Sequence, residues 1–165
     1  MVVDKNILAA DAAQKKLQRM AYEILERNAG EKKIILAGIK DSGVIIAGII
    51  QTHLKKIFDG KISILEIEID KKNPKKIRLS GANNFDDAVV IVIDDVANSG
   101  RTLLYALKPF LDFYPKKIQT LVLVERSYKQ FPVSPDYVGM SVSTAANEII
   151  IVETKDGKIT GARIE

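Results

Sequence analysis

A chain of 165 residues, 47% apolar and 28% charged, can bury one core without disulfide or metal staples and is too apolar to stay disordered. It contains no cysteine, which excludes disulfides, thiolate nucleophiles and cysteine-based zinc sites, and its longest apolar stretches fall far short of the roughly 20 residues a bilayer span needs. The 25 basic and 21 acidic residues leave a net charge of +4, which suits an anionic substrate as well as nucleic acid, while 6% aromatics and no tryptophan argue against a base-stacking platform.

The chain begins Met1-Val2-Val3-Asp4-Lys5, without the basic-then-apolar layout of a secretory signal, so a cytoplasmic protein with no membrane partner is expected. Residues 10–28 place Leu17, Met20, Ala21, Ile24 and Leu25 at spacings of three and four, an amphipathic helix with Gly30 as its stop. Lys33 to Ala37 reads as a buried strand ending at Gly38, and Val44 to Phe58 as a second helix. Ile62 to Ile69 alternates in period two with one slip at Leu65, and a polar segment follows from Asp70 to Asp87. Val89 to Ile93 is apolar on both faces, as a central parallel strand requires. Thr102 to Phe113 reads as a helix that Pro109 must kink or end early. Thr120 to Val124 is a further strand, and Glu148 to Glu153 with Lys158 to Ile164 form a hairpin through Asp156-Gly157. The order predicts a single α/β domain over residues 1–165, helices on both faces of the sheet, with ligands at the carboxyl ends of its strands.

The most informative stretch runs from Val89 through Asp94-Asp95-Val96-Ala97-Asn98-Ser99-Gly100-Arg101-Thr102. A buried strand delivers two adjacent carboxylates, a loop of small residues follows, and a helix begins. The loop amides and helix start suit a phosphate dianion, Ser99 and Thr102 add hydroxyls, and Gly100 permits close approach. Paired acids would repel that phosphate unless they bind sugar hydroxyls or magnesium, so a sugar phosphate fits both halves. A plain turn with Asp95 capping the helix accounts for only one of the acids. Neither G-x-x-x-x-G-K nor G-x-G-x-x-G occurs.

Val89 to Thr102 resembles the phosphoribosyl-pyrophosphate signature of type I phosphoribosyltransferases. Over most of the chain the sequence is similar to the pyrimidine-operon attenuators that double as uracil phosphoribosyltransferases, through Ile24 to Asn28, Leu36 to Lys40, Leu121 to Arg126 and Pro135 to Gly139. The resemblance implies the type I phosphoribosyltransferase fold: a mainly parallel sheet with helices on both faces and a small strand-rich C-terminal hood. It implies a pentosyltransferase that displaces pyrophosphate from phosphoribosyl pyrophosphate with a nucleobase, leaving a nucleoside monophosphate as product or effector, with Mg2+ as cofactor. Asp94 and Asp95 would take the ribose hydroxyls, directly or through weakly held magnesium. Ala97, Asn98, Ser99, Gly100, Arg101 and Thr102 would cradle the 5-phosphate. Gly38, Ile39, Lys40, Asp41, Ser42 and Gly43 would form the pyrophosphate loop. Tyr137 would stack on the base while the Val138 backbone and Glu125 read its edge. Lys40 and Arg78 join Asp94 and Asp95 as catalytic candidates, and a homo-oligomer is implied.

Three departures from the family pattern bear on function. Asn98 replaces an aspartate and Glu125 a lysine of the hypoxanthine branch, which disfavours purines. Ser42 stands where the attenuators carry arginine, and Asp41 adds a carboxylate, so the leaving-group side is weakened. Lys71 to Arg78 replaces the family's tyrosine-arginine lid element with five positive charges in eight residues, either a cationic lid or a solvated basic loop. His53 is expected to face solvent. The pairs Lys15-Lys16, Lys32-Lys33, Lys55-Lys56 and Lys116-Lys117 are mostly solvated faces, or together an RNA-binding surface. Three readings follow: a pyrimidine phosphoribosyltransferase, a nucleotide-sensing RNA-binding attenuation regulator with weak turnover, and a phosphoribosyltransferase for another nucleophile.

Overall fold

The three-and-four spacing of apolar residues forms α1 (Ala10–Arg27), which buries Ala13, Leu17, Met20, Ala21 and Ile24. Before it lies β1 (Lys5–Ala9), a strand the sequence reading did not anticipate. In this computed structural model residues 5–81 and 84–165 are described. Residues 1–4, most of the segment inspected for a signal, and 82–83 of the polar segment lie outside them.

The chain continues through β2 (Lys33–Ile39), α2 (Ser42–Leu54), β3 (Lys61–Ile69), β4 (Ile77–Ser80), β5 (Val89–Ala97), α3 (Arg101–Ala106), β6 (Lys117–Arg126), β7 (Tyr137–Val142), β8 (Ile150–Lys155) and β9 (Lys158–Ile164). Six strands form one sheet in the order β4-β3-β2-β5-β6-β7, parallel except for the β4 edge. The other three form an antiparallel hood, β1-β9-β8. The expected fold, a mainly parallel sheet with a strand-rich hood, is the one present.

Alternation sorts the central strand between two cores. Val89, Ile91 and Ile93 pack with α1 and α2 on one face, whereas Val90 and Val92 pack with Leu103, Ala106 and Phe110 on the other. Helices therefore cover both faces. Leu65 is no slip in β3: Ile62 and Ile64 face the first core, while Leu65 and Ile67 face the second. An interior strand must be apolar on both sides. The expected Thr102 to Phe113 helix ends at Ala106, and Pro109 sits at the start of a separate 3-10 turn, Lys108–Asp112.

The β7 edge is blunted because Arg19 of α1 donates to the Val138 and Gly139 carbonyls at 3.1 and 2.8 Å. Among the described residues no helix is long and apolar enough to cross a membrane.

Candidate active site

The buried strand β5 runs further than expected and includes both aspartates before ending at Ala97. The next three residues turn the chain into α3, and Gly100 accomplishes this at φ 86°, a left-handed conformation that a side chain would strain. The Gln130 and Phe131 amides each donate to the Ser99 carbonyl at 3.0 Å and pin the loop from behind. Here the sheet ends and the hood begins, enclosing a cavity of about 230 Å³. Its floor is Asp94 to Leu103, its roof the hood residues Ile150, Ile151 and Val152, and Lys71 closes one side.

Asp94 is almost fully buried. One of its oxygens accepts the Asp95 amide at 2.8 Å, and one Asp95 oxygen accepts the Val96 amide at 2.8 Å. The main-chain amides engage only Oδ1 of each carboxylate, and the other oxygens, where the two carboxyls meet, can receive a ribose hydroxyl or a metal. Burial holds the Asp94 carboxyl well above the usual carboxylate range; the Asp95 charge adds to that and the Lys71 ammonium opposes it. The site therefore favours a ligand that brings hydroxyl donors or positive charge.

No cluster of three or more metal-ligating side chains occurs among the described residues. Two adjacent carboxylates fit a divalent ion only when the ligand's own oxygens complete its shell, which is how magnesium is commonly held beside phosphates.

The loop between β2 and α2 abuts this floor. A Cβ on Gly43 would lie 2.5 Å from the Ile93 carbonyl oxygen and 3.4 Å from the Asp94 Cα, so the close approach of loop to strand requires glycine. Gly38 and Ile39 are buried at the end of β2, and the exposed Lys40-Asp41 peptide, which is cis, leads into Ser42 and α2. Lys40 reaches toward Glu66, 4.0 Å away, and does not line the cavity.

Several sequence expectations are corrected. Tyr137 is fully buried at the amino end of β7, where its hydroxyl donates to Gln119 at 2.8 Å and accepts from Asn28 at 3.2 Å. In register it lies one step before Asp94, two strands away, but its ring is packed into the core shared with α1 and is not free to stack on a base. Val138 does not line the cavity, and its carbonyl accepts from Arg19 at 3.1 Å. Residues Pro135 to Gly139 serve strand entry instead: the Asp136 carboxylate accepts the Thr120 amide at 2.8 Å and Tyr137 fills the core. Arg78 lies on β4 with its side chain largely exposed, 3.4 Å from Glu68, and is not part of the cavity wall.

Two residues that distinguish this chain from the hypoxanthine branch are engaged internally. The Asn98 amide brackets the hood, accepting from the Ile150 amide at 3.3 Å and donating to the Ile150 carbonyl at 3.4 Å. Glu125, beside Ala97 in register, accepts from Lys129 at 2.9 Å and from Ser141 at 2.8 Å. Sequence reasoning missed the roof. Three successive branched residues, Ile150-Ile151-Val152, were visible within a hairpin strand, but only the tertiary fold brings them over the aspartates.

A family model described as "Phosphoribosyl transferase domain" matches residues 4–156. A protein of Pediococcus pentosaceus called "Bifunctional protein PyrR" is 38% identical, covering 93% of this chain and 94% of its own. A namesake from Enterococcus faecalis is 34% identical over 92% and 90%. Among solved structures, a hypoxanthine phosphoribosyltransferase of Trypanosoma cruzi superposes with a TM-score of 0.78 at 16% identity, covering 98% of this chain and 97% of that one. A hypoxanthine-guanine phosphoribosyltransferase of Bacillus anthracis gives 0.72 at 17%, with 96% of each chain covered. At such identities the structural likeness concerns the fold. With the signature strand, its paired acids and the family model agreeing over most of the sequence, the chain belongs to the phosphoribosyltransferase family.

Proposed function

We propose that this chain transfers the ribose 5-phosphate group of phosphoribosyl pyrophosphate to a pyrimidine base, uracil first among them, and releases pyrophosphate. The observation that carries the reading is the cavity itself, in which Asp94 and Asp95 adjoin the loop from Ala97 to Thr102 beneath an aliphatic roof. The loop would hold the 5-phosphate and the aspartates the 2- and 3-hydroxyls. Ile150 and Ile151 would lie against the flat base in the role first assigned to Tyr137. Asn98 and Glu125, both tied to protein partners, present neither the acid nor the lysine that a 6-oxopurine would meet in the hypoxanthine branch.

A ring nitrogen of the base forms the bond to C1 as the C1–oxygen bond breaks; that electron pair leaves with pyrophosphate, and the nitrogen's proton passes to solvent. Little covalent work falls to the protein, whose contribution is alignment and charge placement. Magnesium, held by the free oxygens of Asp94 and Asp95 together with the ligand's oxygens, would neutralise the leaving group.

The test mixes the full chain with phosphoribosyl pyrophosphate, magnesium and a panel of free bases and follows pyrophosphate release. Release with uracil and not with hypoxanthine is expected. No release with any base, while uridine monophosphate still binds, would favour the second reading: a nucleotide-sensing RNA-binding regulator acting as a homo-oligomer in the cytoplasm. Asp41 and Ser42 on the leaving-group side favour that reading, and its own mark is RNA binding that falls steeply with salt.

A further inference from the structure

The basic segment between β3 and β4 does not form a diffuse cationic lid. Arg78 turns to Glu68, and Lys71 alone of the segment lines the cavity. The Lys71 ammonium lies 3.7 Å from Oδ1 of Asp94, whose side chain is 3% exposed. The hairpin is held in place at the same residue, because the Arg101 guanidinium at the start of α3 donates to the Lys71 carbonyl at 3.3 Å. One cation is thus anchored through its backbone to the phosphate-loop side and through its side chain to Asp94.

A phosphate monoester arriving beside two carboxylates meets repulsion unless a positive charge is present. A pyrophosphate-bearing ligand chelates a divalent cation and brings that charge with it. A monophosphate binds such cations weakly and does not.

We propose that Lys71 is the resident counter-ion of the Asp94–Asp95 pair and lets the cavity hold a ribose 5-phosphate monoester without a divalent metal. The inference rests on the reading of this cavity as a ribose 5-phosphate site. It makes the two ligand classes differ: the pyrophosphate substrate enters with metal, whereas the nucleoside monophosphate, as product or effector, enters on Lys71. Lys71 is a positioning residue here and takes no part in bond making.

The experiment is calorimetric titration of the full chain with ribose 5-phosphate and with uridine monophosphate, each in EDTA and in millimolar magnesium. Three proteins are compared: the parent, Lys71→Met and Lys71→Arg. The parent should bind both probes with the same affinity, within about twofold, whether or not metal is present. Lys71→Met should bind on the order of tenfold more weakly in EDTA, a modest loss for a buried carboxylate because Lys71 is itself half exposed. Magnesium should restore much of that loss, and Lys71→Arg should stay near the parent. A merely structural role for Lys71 would not make the defect depend on metal. Equal affinity of the parent and Lys71→Met in EDTA overturns the inference, as does a parent that requires magnesium for either monophosphate. If the parent binds neither probe nor magnesium-bound phosphoribosyl pyrophosphate, the reading of the cavity fails and the inference falls with it.

Discussion

At the amino ends of the parallel strands Tyr137, Gln119 and Asn28 close a triangle of hydrogen bonds, whereas toward the carboxyl ends, among the described residues, Asp94 and Asp95 each keep one oxygen that no main-chain amide takes. The Asn28 amide also donates to the Ile24 carbonyl at 2.9 Å, and its oxygen accepts from Lys117 at 3.3 Å. The Arg27 guanidinium lies 5.0 Å from the centre of the Tyr137 ring. Both ends contain buried polar groups. One end satisfies them with one another and so holds α1 to β6 and β7; the other leaves them for a ligand. Stability and binding are thus separated along the strand axis, and mutations at the two ends should move different observables.

The largest effect belongs to the carboxyl end. Asp94→Asn keeps the shape of the side chain and removes a charge that burial disfavours. It should lower kcat/KM for pyrophosphate release by on the order of 10² to 10³, comparable to removing one preorganised electrostatic contact. The same variant should raise the urea midpoint at pH 7, because the folded state no longer holds a desolvated carboxylate. A fall in both activity and stability would mean that Asp94 is a structural support, and the contrast between the ends would collapse.

At the amino end the signs should be opposite. Tyr137→Phe leaves Gln119 and Asn28 each short of a partner and should cost about 1–2 kcal/mol of stability, with kcat and KM for the base unchanged. A raised KM would return Tyr137 to the base site. Burial pushes the Tyr137 phenol up to about 12 from the ordinary 10.0. Between those values the folded chain keeps a proton that the unfolded chain releases, so this group's contribution is whole below pH 10 and is lost as pH rises toward 12. The stability gap between parent and Tyr137→Phe should therefore narrow in alkaline urea titrations.

This contrast also explains which parts could be read from sequence. The strand-loop-helix stretch from Val89 to Thr102 was legible because its features are contiguous: a buried strand, two acids and a glycine at fixed offsets. The hood over it was not, since Ile150 meets Asn98 across 52 positions of chain. Tyr137 was assigned to the base because its motif neighbours, Asp136 and Gly139, show that the stretch is special but not which face of the sheet the aromatic ring packs on. The Asp136–Thr120 clamp settles that only in three dimensions. Strand β4 stayed hidden in a segment rich in lysine because two apolar residues, Ile77 and Leu79, are too few to reveal a period. Lys71 was legible as one cation among five; nothing in its sequence neighbourhood separates it from the others.

The smallest effect is a surface extension of the amino-end network. Glu31 sits between Lys116 at 2.7 Å and Lys117 at 3.5 Å. The Lys116 hydrogen bond, with the charges of both lysines, holds its carboxyl below the ordinary 4.5 despite some opposing desolvation. A depressed carboxylate contributes stability above its unfolded value, and that contribution fades as pH falls through the lower folded value. Glu31→Gln should therefore unfold at lower urea than the parent at pH 7, and the two should converge as pH drops below about 4.5. The Lys116 side chain is 55% exposed, so raising the salt concentration at pH 7 should also shrink the difference. Pyrophosphate release should not change with this substitution under any of these conditions. Were it to change, the two ends of the sheet would be coupled through β6, which runs from Lys117 beside Glu31 to Glu125 beside the phosphate loop.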